Sequence, residues 1–405
     1  MIIRARTVVP MVGDRIDNGA VVIEGNRIVD VGPAEDLARH YGGRALDLGE
    51  QVLLPGLINA HCHLDYTMLR GKIRPRDSFA DWIRAINAEK AKLTEQDYIQ
   101  SIRAGFAEAV RFGTTTLANL TAFPTLAGAI DEPNRTWWFG ELIDIRNPDR
   151  ADEIADEAAE ALKGKAHWGL APHAPFTASP RLYARCEEIA RKENRILTTH
   201  LAESAEEMQM ALDRTGPLAV FLDSLGAELF ESNGETPVKH MLKNYRFDQR
   251  WILTHLNSVL ESDIEALATL ETKPHVAHCP RSHAYFGHEP FKLERLRELQ
   301  FNICLGTDSL ASNSDLSLFA EMRELLHKHP GVSPRQALEM ATLHGAAALG
   351  QPGSLGYIGA GAYADLVALP VPPVGDIYEN IVAFADDVRW MLVNGEAIGT
   401  NESAI

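Results

Sequence analysis

Side chains that can bind a metal ion recur at five positions of the sequence: His61, His63, His200, His255 and Asp308. The first two form an H-x-H pattern. Residues two apart in an extended segment face the same way, so both imidazoles can bind one ion. Cys62 between them then points to the opposite face and is expected to pack. Imidazole nitrogens with one carboxylate are typical of Zn²⁺ and also suit Fe²⁺ or Mn²⁺. A lone H-x-H is weak evidence, but the whole set is difficult to explain by packing.

The elements that must position these side chains are short apolar runs, each of which ends at one of them. The runs are 53–60, 195–199, 251–254 and 301–307. From about Gly56 to Gly350, such runs alternate with amphipathic helical stretches, for example 96–112 and 180–194. Alternation of this length predicts an α/β fold, a (β/α)₈ TIM barrel of parallel strands with crossover helices. Because catalytic groups of such barrels lie at the carboxyl ends of the strands, the five side chains are expected to meet there.

Both ends of the chain carry short β-rich runs of a different style. Turn residues separate the runs 2–9, 19–24, 27–31 and 51–54, and the tail repeats this style at 366–369 and 388–393. The Asn394-Gly395 dipeptide that follows is a strong hairpin signal. We therefore expect residues 1–55 and 351–405 to pair into one small β-sandwich domain, with residues 56–350 forming the barrel domain.

Composition and charge narrow the classes of partner. The 405 residues include 56 acidic and 39 basic side chains, a formal net charge of −17. An acidic chain without a basic stripe repels phosphate backbones, so we expect a small-molecule substrate and no nucleic acid. No apolar run approaches the ~20 residues that span a bilayer, and residues 1–10 lack the layout of a signal peptide. A cytoplasmic protein without a membrane partner is expected. Four widely spaced cysteines without a C-x-x-C pair predict reduced thiols.

Four motifs of the predicted barrel together resemble the amidohydrolase superfamily. They are PGLINAHCHLD at 55–65, HLAES at 200–204, THLNS around His255 and LGTDSLASN at 305–313. The branch that they resemble contains cytosine, guanine and S-adenosylhomocysteine deaminases and the triazine chlorohydrolases. The segment GYIGAGAYADLVAL at 356–369 looks like the return of that family into its terminal sandwich.

The resemblance implies a role for each polar residue at the barrel mouth. His255 would hydrogen-bond the metal-bound water, Glu203 would shuttle protons to the substrate ring, and His173 in PHAPFT would contact the substrate. Taken alone, Glu203 also fits a first-turn acid that the helix dipole favours, and His173 also fits a turn residue between two prolines. Segment 168–172 offers no lysine that could bridge a second ion, so one ion per chain is expected. The implied ligands of that ion are His61, His63, His200 and Asp308.

The implied reaction is hydrolytic deamination of a purine-type ring, which breaks a carbon–nitrogen bond of a cyclic amidine. A metal ion lowers the pKa of its water toward about 7, and Asp308 can accept the released proton. Attack at the amino-bearing carbon pushes electrons onto the adjacent ring nitrogen. Glu203, three residues beyond His200, can protonate that nitrogen. Ammonia then leaves, and a ring carbonyl remains.

Two shorter segments resemble one subgroup of this branch. HLDYTMLRG at 63–71 and AFPTL at 122–126 look like the aminodeoxyfutalosine deaminases of the menaquinone pathway. The alternative substrates are S-adenosylhomocysteine or methylthioadenosine, guanine, or a triazine that loses chloride. Outside the enzymes, the alternative is a non-catalytic scaffold of this superfamily, against which the complete ligand set argues.

Arg146 is the candidate for binding the far end of the substrate. It follows the run 140–145 and is expected in the loop after the third barrel strand, where a guanidinium could clamp a carboxylate. The alternative is a surface ion pair with Asp144 or Asp149.

Aromatic residues and one histidine are expected to shape the substrate pocket. Candidate stacking walls, each of which also fits a core residue, are Trp82, Trp137, Trp138, Tyr285 and Phe286. In HCPRSHAYFGH at 278–288, His283 stands where relatives commonly have asparagine, which implies a distinct pocket. A homo-oligomer is expected for this architecture.

Overall fold

The computed structural model describes residues 1–226 and 233–398, so residues 399–405 of the predicted terminal domain lie outside the described residues. The strands are β1 (Ile2–Val8), β2 (Ile16–Glu24), β3 (Arg27–Pro33), β4 (Ala45–Asp47), β5 (Val52–Pro55), β6 (Leu57–His63), β7 (Thr114–Thr121), β8 (Arg135–Leu142), β9 (His167–Pro172), β10 (Ile196–Leu201), β11 (Trp251–His255), β12 (His275–His278), β13 (Ile303–Leu305), β14 (Asp308–Ser309), β15 (Leu366–Leu369), β16 (Trp390–Val393) and β17 (Glu396–Ala397).

The helices lie mainly between the strands of the barrel. They are α1 (Ala34–Tyr41), α2 (Phe79–Lys90), α3 (Glu95–Arg111), α4 (Ala151–Leu162), α5 (Pro180–Glu193), α6 (Ala205–Asp213), α7 (Gly216–Ser224), α8 (Pro237–Asn244), α9 (Glu261–Ala268), α10 (Pro280–Phe286), α11 (Leu293–Glu298), α12 (Leu318–Lys328), α13 (Pro334–Met340), α14 (Leu343–Ala348) and α15 (Ile377–Ala383). The expected helices at 96–112 and 180–194 correspond to α3 and α5.

Strands β6 to β14 pair in parallel and close into a ring. The order is β13-β12-β11-β10-β9-β8-β7-β6-β14, and β13 and β14 are two parts of one strand position, separated only by Gly306 and Thr307. β13 pairs with β12 while β14 pairs with β6, so the last position of the sheet meets the first. The predicted TIM barrel is confirmed.

Alternating residues of the barrel strands enter two different buried clusters. Ile58, Leu120 and Ile252 belong to one cluster, whereas Leu57 and Leu253 join the large cluster that contains the helices. Both faces of these strands are therefore buried. This explains why they appear in the sequence as continuous apolar runs rather than as an alternating pattern.

Helix α3 shows how the sequence sets the outer layer. Thr94 and Asp97 form a reciprocal capping box that satisfies backbone donors at the start of the helix. Tyr98, Ile102 and Phe106 repeat at helical spacing and are buried against the strands.

The two ends of the chain fold together, as predicted. Strands β15, β5, β1 and β2 are consecutive neighbours in one eight-stranded sheet, so segments more than 300 residues apart in sequence pair directly. The Asn394-Gly395 turn joins β16 to β17 with positive φ at both residues, as a tight hairpin requires. The exact domain boundaries stay a prediction.

A buried ion pair connects the terminal sheet to the barrel. The guanidinium of Arg135, at the start of β8, donates to both carboxylate oxygens of Asp365 at 2.9 and 3.1 Å. Both side chains are at most 10% exposed. Asp365 also accepts from the backbone N–H of Asn394. The carboxylate therefore depends on Arg135 for its only charged partner among the described residues.

We expect Arg135→Met to lower the stability of the fold by about 3–5 kcal/mol, because it leaves a buried carboxylate without its cation. The measurement is chemical or thermal denaturation of the purified protein. The matched control is Arg111→Met, which removes an exposed pair with Asp387 and should cost less than about 1 kcal/mol. If both variants lowered the stability equally, Arg135 would not connect the terminal sheet to the barrel in the way described.

Candidate active site

The five side chains singled out in the sequence converge at the carboxyl end of the barrel. The Nε2 atoms of His61 and His63 lie 3.9 and 3.8 Å from Oδ1 of Asp308, and Nε2 of His63 lies 3.4 Å from Nε2 of His200. Potential ligand atoms of His61, His200 and His255 also lie within 4.8 Å of one another. All five side chains are buried. This cluster could hold a metal ion.

The H-x-H pattern lies at an irregular part of strand β6. The pairing of β6 with β7 is irregular between Asn59 and Cys62. The Cys62 thiol points away from the histidines, donates to the backbone carbonyl of Ala118 and packs in the cluster of the outer layer. The expectation that Cys62 packs is confirmed, and all four cysteines are buried and unpaired.

Hydrogen bonds hold the carboxylate of Asp308 in one orientation. Ser282 donates to its Oδ2 at 2.6 Å, and the backbone N–H of Ser309 donates to its Oδ1 at 2.8 Å. Asp308 itself has φ of +57°, a left-handed conformation that is uncommon outside glycine. His255 shares this feature with φ of +81°. Strained backbone of this kind is typical of functional sites.

The imidazoles are fixed through the nitrogen that faces away from the cluster. Nδ1 of His200 lies 2.9 Å from the backbone carbonyl of His173 and can only donate to it, which leaves Nε2 free of a proton. Nδ1 of His61 lies 3.3 Å from the hydroxyl of Thr254. The Nε2 atoms of His61 and His255 are buried without a hydrogen-bond partner in the described structure. A buried imidazole nitrogen without a hydrogen-bond partner is available to bind a metal ion or the water on it.

Burial also sets the protonation of the cluster. It lowers the pKa of His61, His63 and His200 below the ordinary value and lowers that of His255 to about 3. Burial alone would raise the pKa of Asp308, but the surrounding histidines, His255 first, and the Ser282 hydroxyl hold it below its ordinary value. Neutral imidazoles and an ionised carboxylate are the forms that bind metal ions.

Glu203 lies beside the cluster and outside the helix that follows. Ser204 is the N-cap of α6, so Glu203 precedes the first turn, and the alternative role as a first-turn acid does not apply. Its Oε1 lies 3.6 Å from Nε2 of His255. Burial, together with the carboxylates of Asp308 and Glu207, raises the pKa of Glu203 well above its ordinary value. A protonated carboxyl in this position could donate a proton to a bound molecule.

Two neighbours fix the backbone around Glu203. The buried Glu207 carboxylate accepts from the N–H groups of Ala202 and Glu203. Asn257 donates to the Glu203 carbonyl at 3.2 Å, and its Oδ1 lies 3.0 Å from Nδ1 of His283. His283 therefore supports Glu203 through Asn257. The sequence marked His283 as a departure from relatives but could not indicate this connection.

Glu141 is a site residue that the sequence analysis missed. It lies near the end of β8, is buried, and its Oε1 lies 3.6 Å from Nδ1 of His63. Neither atom has a hydrogen-bond partner in the described structure, so each is available to bind the other. Burial raises the pKa of Glu141 to about 7, against the opposing effect of Lys90. One signal was present, because Glu141 is the single ionisable side chain in the apolar stretch 136–143.

A cavity of about 390 Å³ opens from the cluster toward the solvent. His63, His200, Glu203 and Asp308 lie at one end, together with Glu141 and His173. The wall is largely aromatic and aliphatic. It includes the predicted Trp82, and also Tyr66, Phe79, Ile83, Ile86, Phe176 and Phe221. The predicted Arg146 lines the cavity as well, as do Asn87 and Lys90 from α2, which the sequence analysis did not single out.

Four of the candidate stacking residues do not line this cavity. Trp137 and Trp138 are buried in the barrel, where Trp137 stacks on His167 and Trp138 contacts Phe106. Phe286 packs on Trp82 and Phe79 behind the wall, and the Tyr285 hydroxyl donates to the backbone carbonyl of Ile73. The alternating strand pattern explains the first pair, because both faces of β8 are covered.

A match to a protein-family model identifies the family of the chain. The model of the amidohydrolase family matches residues 52–398, which include the whole barrel and the site described above. The chain belongs to the amidohydrolase family. The prediction that it is a hydrolytic enzyme of this superfamily is thereby confirmed.

Relatives and solved structures of this family match nearly the whole chain. A 5-methylthioadenosine/S-adenosylhomocysteine deaminase of Syntrophobacter fumaroxidans is 32% identical, with 95% of this chain and 89% of the relative covered. An aminofutalosine deaminase of Helicobacter pylori, solved in complex with methylthio-coformycin, is 21% identical with a TM-score of 0.88, covering 98% of this chain and 99% of that chain. An adenosine deaminase of Xanthomonas campestris with bound zinc is 24% identical with a TM-score of 0.81, covering 100% and 95%. At these identities the two solved structures show the fold.

The part of the chain that the structure describes contains no helix long and apolar enough to cross a membrane.

The position of Glu141 predicts an effect on metal affinity. A carboxylate behind a ligating histidine fixes the ring and raises its basicity, and the loss of such a partner typically costs about 10- to 100-fold in affinity. We expect Glu141→Gln to weaken zinc binding by this amount, measured by competition with a chelator of known affinity. The matched control is Glu153→Gln, an exposed glutamate on α4 that pairs with Arg150. Unchanged zinc affinity of Glu141→Gln would show that Glu141 does not act through His63.

Proposed function

We propose that the chain is a metal-dependent deaminase that acts on the amino group of an adenosine-type nucleoside. The observation that supports the proposal is the position of the buried Glu203 carboxyl. It lies beside His255 and the potential metal-binding cluster, at the end of a largely apolar cavity. The names of the relatives support the same class of reaction, hydrolysis of a carbon–nitrogen bond in a cyclic amidine. The aromatic wall suits a flat ring.

The residues present fit a single divalent ion, with zinc as the first candidate. The ligands would be His61, His63, His200 and Asp308, whose nitrogen and oxygen atoms lie close together. The buried Nε2 of His61 has no hydrogen-bond partner in the described structure, so it is available to bind the ion. When bound, such an ion would activate water for attack on the substrate ring. Iron or manganese would suit the same ligands.

The side chains of the chain itself would carry the protons. Asp308, ionised and oriented by Ser282, is the acceptor for the proton of the attacking water. Neutral His255 is a hydrogen-bond partner for that water. Glu203, protonated by its burial, donates to the ring nitrogen adjacent to the amino-bearing carbon. Asp308 can then pass the proton that it accepted to the amine nitrogen, so that the carbon–nitrogen bond breaks with ammonia as the leaving group. The new hydroxyl returns a proton to Glu203 as the ring carbonyl forms.

Among adenosine-type nucleosides, 6-amino-6-deoxyfutalosine is the first candidate and S-adenosylhomocysteine or methylthioadenosine the alternative. The relatives' names favour the alternative. The direct test is an assay of ammonia release with each of these nucleosides, and with guanine, by the zinc-loaded protein. Release from at least one nucleoside is the expected result. Release from none of them, with chloride release from a triazine, would overturn the proposal.

Glu203→Gln should fold normally, keep its metal and lose about 10²- to 10⁴-fold in kcat, because the isosteric amide cannot shuttle the proton. The measurements are steady-state kinetics together with metal content. Glu160→Gln on the exposed surface of α4 is the matched control and should keep normal turnover. Near-normal turnover of Glu203→Gln across the pH range would show that the ring is protonated from elsewhere.

Arg146 is proposed to bind a carboxylate at the far end of the substrate. It is exposed at the cavity and makes no ion pair or side-chain hydrogen bond with another described residue. The alternative partner Asp144 is already engaged by the N–H and hydroxyl of Ser179. Both futalosine-type and homocysteine-type nucleosides carry a carboxylate in their tails, whereas adenosine does not.

Arg146→Ala should therefore cost about 2–4 kcal/mol in kcat/KM with an anionic nucleoside, the scale of a broken charge pair that the bound substrate buries, and little with adenosine. The measurement is kcat/KM of both substrates. Arg150→Ala, which removes a neighbouring exposed arginine paired with Glu153, controls for the lost surface charge. Equal losses of Arg146→Ala on both substrates would indicate a structural arginine.

A further inference from the structure

Helix α2 presents two kinds of polar residue, and only one kind is paired within the protein. On its outer side Arg84 forms an ion pair with Asp81 at 2.7 Å, and Glu89 pairs with Lys92 at 2.6 Å. On the side that lines the cavity lie Asn87 and Lys90. Neither forms a side-chain hydrogen bond or an ion pair with another described residue. The polar groups that face the cavity are thus left for something that enters it.

Lys90 is the more informative of the two. It is half-buried, and its ammonium lies 4.7 Å from the centre of the Tyr66 ring, which itself stacks on His63. A half-buried ammonium without a hydrogen-bonding partner costs stability. A ligand that accepts a hydrogen bond from it would remove that cost.

The surroundings of Lys90 favour a hydroxyl group over an anion. Burial lowers the pKa of Lys90, and the negative charges of Glu141 and Asp65 act in the opposite direction. An anionic ligand would meet those carboxylates too. A hydroxyl both accepts and donates, so it can accept from the Lys90 ammonium and donate to the side-chain oxygen of Asn87, which also lines the cavity. The Asn87 amide nitrogen offers a further donor.

We propose that Asn87 and Lys90 form a hydroxyl-binding site that holds the sugar of the substrate. This assignment rests on the proposed function, which supplies a nucleoside, and it extends that function to a specificity site in the middle of the cavity. It differs from the role proposed for Arg146. That side chain is exposed, forms no ion pair within the described part of the chain, and would bind an anionic tail.

The test compares adenosine with 2′,3′-dideoxyadenosine, which lacks the two sugar hydroxyls. Dissociation constants are measured by calorimetry on the zinc-loaded protein in the Glu203→Gln background, where turnover is slow. Adenosine should bind roughly 10- to 100-fold more tightly, the range expected for hydrogen bonds to charged groups. Adding Lys90→Met should reduce this ratio to below about threefold, mainly by weakening adenosine. Adding Lys90→Gln, which keeps a donor, should give an intermediate ratio.

Lys92→Met is the matched control, since that lysine lies two residues away and pairs with Glu89 on the outside, and it should keep the full ratio. Equal weakening of both nucleosides by Lys90→Met would indicate a structural lysine and overturn the site. A ratio near one in the background protein would overturn it as well. Failure of the proposed function has a different signature: the unmutated protein then releases no ammonia from any nucleoside, whether or not the hydroxyl preference is observed.

Discussion

The closure of the barrel between β6 and the last strand position is the constraint on which the site depends. Asn59, fully buried in β6, donates to the Thr307 hydroxyl and accepts from the Thr307 N–H, so its amide joins the first strand to the last. Next to it, Gly306 leaves no space for a side chain, because a Cβ there would lie 2.7 Å from the His61 carbonyl. This close approach sets the register in which Asp308 pairs with Cys62. Without it, the carboxylate would not face His61 and His63, which come almost 250 residues earlier.

A feature could be predicted from the sequence where it depends on one strand or turn, and not where it depends on packing between distant segments. The metal-binding cluster could be predicted because each member ends an apolar strand, and parallel strands bring their carboxyl ends together whatever the loops contain. The pairing of the two chain ends could likewise be predicted, from their β-rich runs and the Asn394-Gly395 turn. Helix α1 and strand β4 were not predicted, since they have only eight and three residues and so give a weak signal between β3 and β5.

The residues around the cluster could not be predicted, because their roles depend on packing between elements. Glu141 meets His63 only because β7 lies between β6 and β8 with the register that the ring imposes. His283 on α10 reaches Glu203 through Asn257, so three separate segments of the chain must pack together. Trp137 and Trp138 illustrate the opposite error. A pair of tryptophans suggests a binding wall, yet adjacent residues of a strand covered on both faces are both buried in the fold.

The same packing explains how the fold tolerates destabilising groups at one end of its barrel. Unpartnered imidazole nitrogens, a buried Glu203 and left-handed backbone at His255 and Asp308 each lower the stability of the folded state. A closed ring of largely buried parallel strands can hold them, since each strand position is paired on both sides. An ion bound to the folded cluster but not to the unfolded chain would shift the balance back toward folding. Stability and chemistry are therefore linked through one set of atoms, and removal of the ion should affect both together.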